Sequence, residues 1–191
     1  MEHLNHIVAK LGLENNIALE DIPNIDLYMD QVIQLFENTF GDFTRNENEK
    51  VLTKTMINNY AKGKLLIPIK NKKYSKEHLI LISFIYQLKG ALSISDIKAV
   101  LDGINERLLA GDFDLAGLYN GYLTLSAKNV DSFKEEMQAR ANEAREEAGK
   151  LGDNDAAYLE KMLLVASFVH MSTMYRRVAE KLVDEMIEAK E

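Results

Sequence analysis

The chain has no cysteine and no tryptophan, and only two prolines, Pro23 and Pro68, among its 191 residues. Without cysteine there is no disulfide scaffold and no thiolate metal site. That suits a reducing cytoplasm, the expected location. With so few prolines, little interrupts a helix, and alternating β-branched runs are scarce, so the expected fold is mainly α. The N-terminal segment MEHLNHIVAKLGLENNIALED lacks a basic region followed by an apolar one, which argues against a secretory signal. Long apolar runs are missing too. The most apolar stretch, Met162 to Met174, has no acidic or basic residue but contains His170 and is too short for a bilayer, so no membrane association is expected.

Chemical motifs are also absent. There is no phosphate-binding glycine loop, no G-x-S-x-G elbow and no H-E-x-x-H pair. His3 and His6 could share a helix face, but no third ligand completes a site. Glu135-Glu136 and Glu146-Glu147 read as the solvated face of a charged helix. No catalytic residue, metal or cofactor is therefore expected, and the protein is not read as an enzyme.

One absence is local. From Lys50 to Lys76 there are eight lysines and no Asp or Glu, in a chain of net charge −7. Residues 1–43 carry eight acids and one base, residues 44–78 nine bases and three acids, and residues 79–191 nineteen acids and thirteen bases. Ordinary solvated faces mix both signs, so a one-sign island inside an acidic body points to an anionic partner.

Helix signals organise what is present. Residues 1–21 read as a short helix or arm. Pro23 with Asn24 or Asp26 opens a helix carrying Leu27, Met29, Val32, Ile33, Leu35 and Phe36, which ends near Phe40-Gly41. A polar linker, GDFTRNENE, follows. Thr53 or Thr55 caps a short helix to about Lys62, with Gly63 as its C-cap. Leu65 to Tyr74, with Pro68 and the tip Asn71-Lys72-Lys73, reads as a small β-hairpin. Ser75, and then Ser93 or Ser95, open amphipathic helices, the second closed by Gly111. Phe113–Ser126 reads as an apolar helix with awkward glycines at 117 and 121. Asp131 or Ser132 opens a charged helix, and Asp153 or Asp155 caps a long final one.

A short capped helix, a tight turn, a lysine-tipped hairpin and a further helix together describe a winged helix-turn-helix. A helix fits the major groove, and a basic wing lies along phosphates. Asn58 and Asn59 carry the paired donors and acceptors that suit the adenine N6/N7 edge, or are simply exposed helix residues. Lysines supply sequence-independent affinity through counterion release. The expected DNA-binding set is Lys54, Asn58, Asn59, Tyr60, Lys62, Lys64, Lys70, Lys72 and Lys73. Tyr60 either stacks on the backbone of the nucleic acid or packs beneath the wing.

TMINNYAKGKLLIP and KKYSKEHLILISFIYQLKGALSISDIKAVL resemble the bacterial domain of unknown function 1836 family, which is itself similar to MerR-type winged helix-turn-helix regulators. The resemblance covers about residues 22–109. Ile57, Tyr60, Gly63, Leu65 and Leu66 stand where MerR-like proteins pass from helix to wing. Lys72 and Tyr74 match the basic and aromatic positions that close the wing, and Leu92, Ser93, Ile94, Asp96 and Ile97 resemble the next helix start. Asn58 and Asn59 replace the usual arginine and first tyrosine, and the first helix and the linker before Thr53 are longer than usual. The resemblance implies double-stranded DNA as partner and a role in transcription regulation.

Three parts are thus expected: an arm (1–21), a MerR-like winged helix-turn-helix domain (22–110) and a helical region (111–191) for dimerisation and possible sensing. In the last helix Leu164, Phe168, Met171, Tyr175, Val178, Leu182 and Met186 form a near-heptad seam for a homodimer. Met162, Phe168, His170, Met171, Met174 and Tyr175 could instead line a site for a small apolar effector. Two other functions stay open on the sequence: an interaction module using the basic face for an acidic protein, and a small-molecule-binding helical protein.

Overall fold

The computed structural model describes residues 2–46 and 48–189. Among these residues, seven α-helices and two short strands run in the order α1 (Glu2–Ala9), β1 (Leu27–Tyr28), α2 (Met29–Phe40), α3 (Lys54–Lys62), β2 (Lys73–Tyr74), α4 (Lys76–Leu88), α5 (Ile94–Ala110), α6 (Leu115–Lys150) and α7 (Ala156–Glu188). A 3-10 turn, Gly41–Phe43, follows α2. The fold is mainly helical, with one small antiparallel sheet.

Several helix ends are where the side chains direct them. The Met56 N–H donates to the Thr53 hydroxyl at 3.2 Å. Ser93 and Asp96 cap each other, Asp96 N–H to Ser93 Oγ at 3.2 Å and Ser93 N–H to Asp96 Oδ2 at 3.1 Å. Asp155 accepts from the Tyr158 N–H at 3.2 Å. Gly111, at φ +80°, closes α5 in the left-handed conformation.

Helix α4 is the centre of the core. Leu79, Ile80, Leu81, Ile82 and Ile85 are all buried, so it is apolar on nearly every side and must be enclosed. Val32 and Phe36 of α2, Ile57 and Tyr60 of α3, Ile97 and Leu101 of α5, Leu115 and Tyr119 of α6 and Val183 of α7 belong to the same cluster. Ile17 joins it from the N-terminal arm, whose carbonyl accepts the Tyr119 hydroxyl at 2.8 Å. The core therefore reaches past residue 110 in both α6 and α7.

Three expectations are corrected. First, Leu65 to Tyr74 is not a full hairpin. Lys70 and Lys73 form a single bridge, while β2 pairs with β1 in the register Leu27↔Tyr74 and Tyr28↔Lys73. Pro68 has no N–H to give a ladder, so the arm before the turn stays irregular and the strand after it finds another partner. Second, α2 starts at Met29 rather than at Pro23–Asp26, because Leu27 and Tyr28 are drawn into the sheet; the Tyr28 N–H bonds Gln31 Oε1 at 2.8 Å. Third, the apolar and charged helices expected after Phe113 are one helix, α6. Val130, Met137, Ala141, Ala144 and Ala148 keep one buried face through the supposed break at 127–131. Gly117 is no defect: its N–H donates to Asp114 Oδ1 at 2.9 Å, and a Cβ there would run into Asp114 Oδ2 of the same cap.

Helices α6 and α7 pack on each other through the short turn at 151–155 and so run antiparallel, each about 50 Å long at about 1.5 Å per residue. The arm lies along α6 through the Lys134–Glu14 ion pair and a hydrogen bond from Gln138 to Asn5 at 3.3 Å.

Candidate nucleic-acid interface

Helix α3 divides cleanly into two faces. Ile57 and Tyr60 point into the core, whereas Lys54, Thr55, Asn58, Asn59 and Lys62 are exposed. At 100° per residue those five positions span an arc of about 140°. One line of it reads Lys54, Asn58, Lys62 and the next Thr55, Asn59. Thr55, proposed from the sequence only as a cap, joins the stripe; its i,i+4 spacing to Asn59 was the available signal.

Tyr60 leaves the set. It is 5% exposed, and burial pushes its phenol pKa up. Of the two roles open to it on the sequence, packing beneath the adjoining turn is the one the fold gives it.

The segment that follows α3 is held tightly and displays its lysines. Gly63 is right-handed, φ −74°, so it is not there for its backbone angles. A Cβ on it would lie 2.8 Å from Leu65 Cδ1 and 3.1 Å from the Asn59 carbonyl oxygen, so space requires the glycine. Lys64 takes the left-handed position instead, at φ +58°. Leu65 and Leu66 are buried, and the Leu65 carbonyl accepts from Asn105 Nδ2 at 3.1 Å, fixing the segment to α5.

At the tip, Asn71 and Lys72 are left-handed at φ +53° and +58°, and the Lys73 N–H closes the turn on the Lys70 carbonyl at 2.9 Å. Two consecutive positive φ values are those of a type I′ turn, which favours Asn-Gly. Here lysine stands where glycine would be unstrained. The three non-glycine residues with positive φ among those described, Lys64, Asn71 and Lys72, all fall in the lysine-rich segment.

The lysines are not equivalent. Lys62, Lys64, Lys70 and Lys72 are exposed. Lys54 Nζ lies 2.7 Å from Asp30 Oδ1, an exposed pair that screening makes weak. Lys73 Nζ stands 5.2 Å from the centre of the Tyr28 ring, which holds it partly on the protein.

His78 anchors this structure from below. The Ser75 N–H donates to its Nδ1 at 3.1 Å, so that nitrogen is an acceptor and the proton sits on Nε2, which donates to the Ile67 carbonyl at 3.1 Å. One buried imidazole thus ties the segment before the turn to the residue after β2. Burial holds its pKa below the ordinary value; the Ile67 hydrogen bond and the nearby Glu77 and Asp26 charges oppose that. Its position, three residues after Ser75 in a cap motif, was the sequence signal.

The expected dimer seam is split. Leu164, Phe168 and Met171 are half-buried toward α6, while Tyr175, Val178 and Leu182 are exposed. Phe133, Met137 and Arg140 of α6 with Phe168, Met171 and Tyr175 of α7 line a mostly apolar groove of about 280 Å³. Among the described residues no three His, Asp or Glu side chains come together as metal ligands, and no helix is long and apolar enough to cross a membrane. The side chain of His3 lies outside the described residues, so its pairing with His6 has no structural account.

The family described as Domain of unknown function (DUF1836) matches residues 17–122, from the buried arm residue Ile17 into the start of α6. No curated protein and no solved structure matches the chain.

Proposed function

We propose that this chain, which belongs to the DUF1836 family, is a DNA-binding transcriptional regulator of winged helix-turn-helix type. The family assigns no activity, so the reading rests on the geometry. The observation that carries it is the lysine-bearing turn: a strained left-handed backbone at Lys64 and Lys72, with buried anchors on either side and no acid from residue 50 to 76. Strain of this kind persists where the displayed side chain is useful.

In this reading α3 enters the major groove. Asn58 and Asn59 meet base edges, and Lys54 and Lys62 meet flanking phosphates. Lys64, Lys70 and Lys72 follow the phosphate backbone, with Lys73 a weaker contributor because Tyr28 holds it. The strand pairing of β1 with β2 supports a MerR-like arrangement, since it braces the turn from the segment ahead of α2. The connection 41–53 between α2 and α3 is far longer than the three or four residues of a compact helix-turn-helix. Recognition is therefore assigned to α3 and the lysine-bearing turn, with α4 as the buried support beneath them, rather than to a tight α2–α3 pair.

The test is selection from a random duplex pool at physiological salt, followed by salt titration of the enriched site. Lys70→Glu with Lys72→Glu weakens binding to all sequences and lowers the log K against log salt slope by about 2. Asn58→Ala changes preference at one base pair, by about 1–3 kcal/mol. No enrichment together with no salt-dependent binding would overturn the reading. Nuclease-insensitive capture of one acidic protein would favour an interaction module instead.

A further inference from the structure

Helix α7 carries more apolar surface than its own chain covers. Of its 33 residues, Val183 is the one buried among those described. Val165 and Val169 are 62% and 61% exposed, and Tyr175 and Val178 are 66% and 62% exposed. The exposed side chains fall into two stripes. Tyr158, Met162, Val165 and Val169 follow spacings of four, three and four along the first half. Tyr175 at the edge of the groove against α6, then Val178, Leu182 and Met186 beyond it, continue the line of Leu164, Phe168 and Met171. At 100° per residue the stripes lie roughly 120° apart around the helix.

We propose that a second copy of this chain covers both stripes in a two-fold, hairpin-on-hairpin contact. Area is the first argument. The exposed apolar residues of α7 present on the order of 1,000 Å², against roughly 800 Å² per partner in a standard stable interface. Neither stripe reaches that alone, and soluble monomers rarely leave such a surface open.

Charge is compatible with a second copy. Met162 to Tyr175 contains no Asp, Glu, Lys or Arg, and Tyr175 to Met186 is interleaved with residues of both signs, Arg176, Arg177, Glu180, Lys181, Asp184 and Glu185. In an isologous contact a residue meets its own copy only at the two-fold axis, so an uncharged stretch there avoids like-charge repulsion while opposite signs on either side can pair. Shape gives the same answer: one straight helix cannot lie on stripes 120° apart, whereas a two-helix hairpin can. The partner's own α6–α7 pair is such a hairpin.

Sedimentation equilibrium of the full chain at micromolar concentration tests this without DNA, so its outcome is separate from the regulator reading. The expected mass is twice 21.7 kDa. Val165→Glu with Val169→Glu, and separately Val178→Glu with Leu182→Glu, each weaken self-association about tenfold or more while circular dichroism stays unchanged. Leu109→Glu, an equally exposed apolar position on α5, leaves the dimer intact. A monomeric wild type, or a dimer indifferent to both pairs, overturns the proposal. A dimer broken by only one pair overturns the two-stripe contact. A monomer holding an apolar small molecule in native mass spectrometry assigns the surface to that ligand and overturns the dimer.

Discussion

Helices α4 and α7 are both rich in large apolar residues, yet they meet opposite fates. In α4 seven of thirteen residues are buried and the helix is walled in by neighbours from the whole domain. In α7, over more than twice the length, Val183 is the one buried residue among those described. Composition separates them only in part, α7 carrying the more charged residues; position does the rest. The chain folds back around α4 through α2, α3, α5 and the start of α6, whereas α7 packs along α6 and in part on α5 and leaves much of its circumference open. Hydrophobic sequence thus encodes a core in one place and an unfilled surface in the other.

That contrast is sharpest in mutational stability. Phe36→Ala removes a side chain with no exposure from the cluster around α4 and costs about 3–5 kcal/mol. Val178→Ala shortens an exposed side chain of α7, and for the isolated monomer it costs within about 0.5 kcal/mol. Urea denaturation read by circular dichroism, at concentrations low enough to keep the chain monomeric, measures both. Comparable losses would mean that α7 is covered within its own chain and that the contrast is false.

A second test asks whether the domain around α4 also governs the basic turn. His78 belongs to α4 but bonds Ser75 and Ile67, on either side of the turn. Burial lowers its pKa in the folded state, so on acidification the unfolded chain takes up the proton first. Stability is therefore flat above the ordinary imidazole value of about 6.5, falls as pH drops below it, and levels off below the folded value. The negative charges of Glu77 and Asp26 oppose the shift and limit the fall. His78→Ala removes this slope and, at pH 8, costs about 1–3 kcal/mol for the lost hydrogen bonds. Denaturant titrations at a series of pH values check both. An unchanged slope in the variant would locate the titration elsewhere.

Much of this was legible in the sequence. The caps at Thr53, Ser93 and Asp155 depend on one side chain bonding its own next turn, so local spacing reveals them. The exposed stripe of α3 follows from helical period alone. What local pattern could not give were pairings across sequence. β2 could close on the segment before it or on Leu27-Tyr28, and only the distant alternative leaves Pro68 without a missing hydrogen bond. The continuity of α6 was hidden because Asp131 and Ser132 look like a start, while the alanines that keep its face buried carry little signal. Tyr60 had two roles open because an aromatic at a helix end suits burial and stacking equally; the depth of the core decided it. The α7 seam is apolar in the sequence, but which of its residues are covered depends on how α7 packs against α6 and α5, which local pattern does not give.

The smallest effect separates folding from function within the basic turn itself. Lys72 sits at φ +58° in a turn whose second position favours glycine. Lys72→Gly relieves the steric cost of a Cβ in left-handed backbone but frees the unfolded chain, leaving a net gain on the order of 0.5–1 kcal/mol in stability. The same change removes one exposed cation, so the salt slope of DNA binding falls by about 0.9. The two quantities move in opposite directions. A residue kept only for the turn would lose stability on replacement, and one placed by chance would leave binding alone. Paired urea and salt titrations on this single variant distinguish these cases, and a stability gain with unchanged binding would take Lys72 out of the interface while leaving the fold of the turn intact.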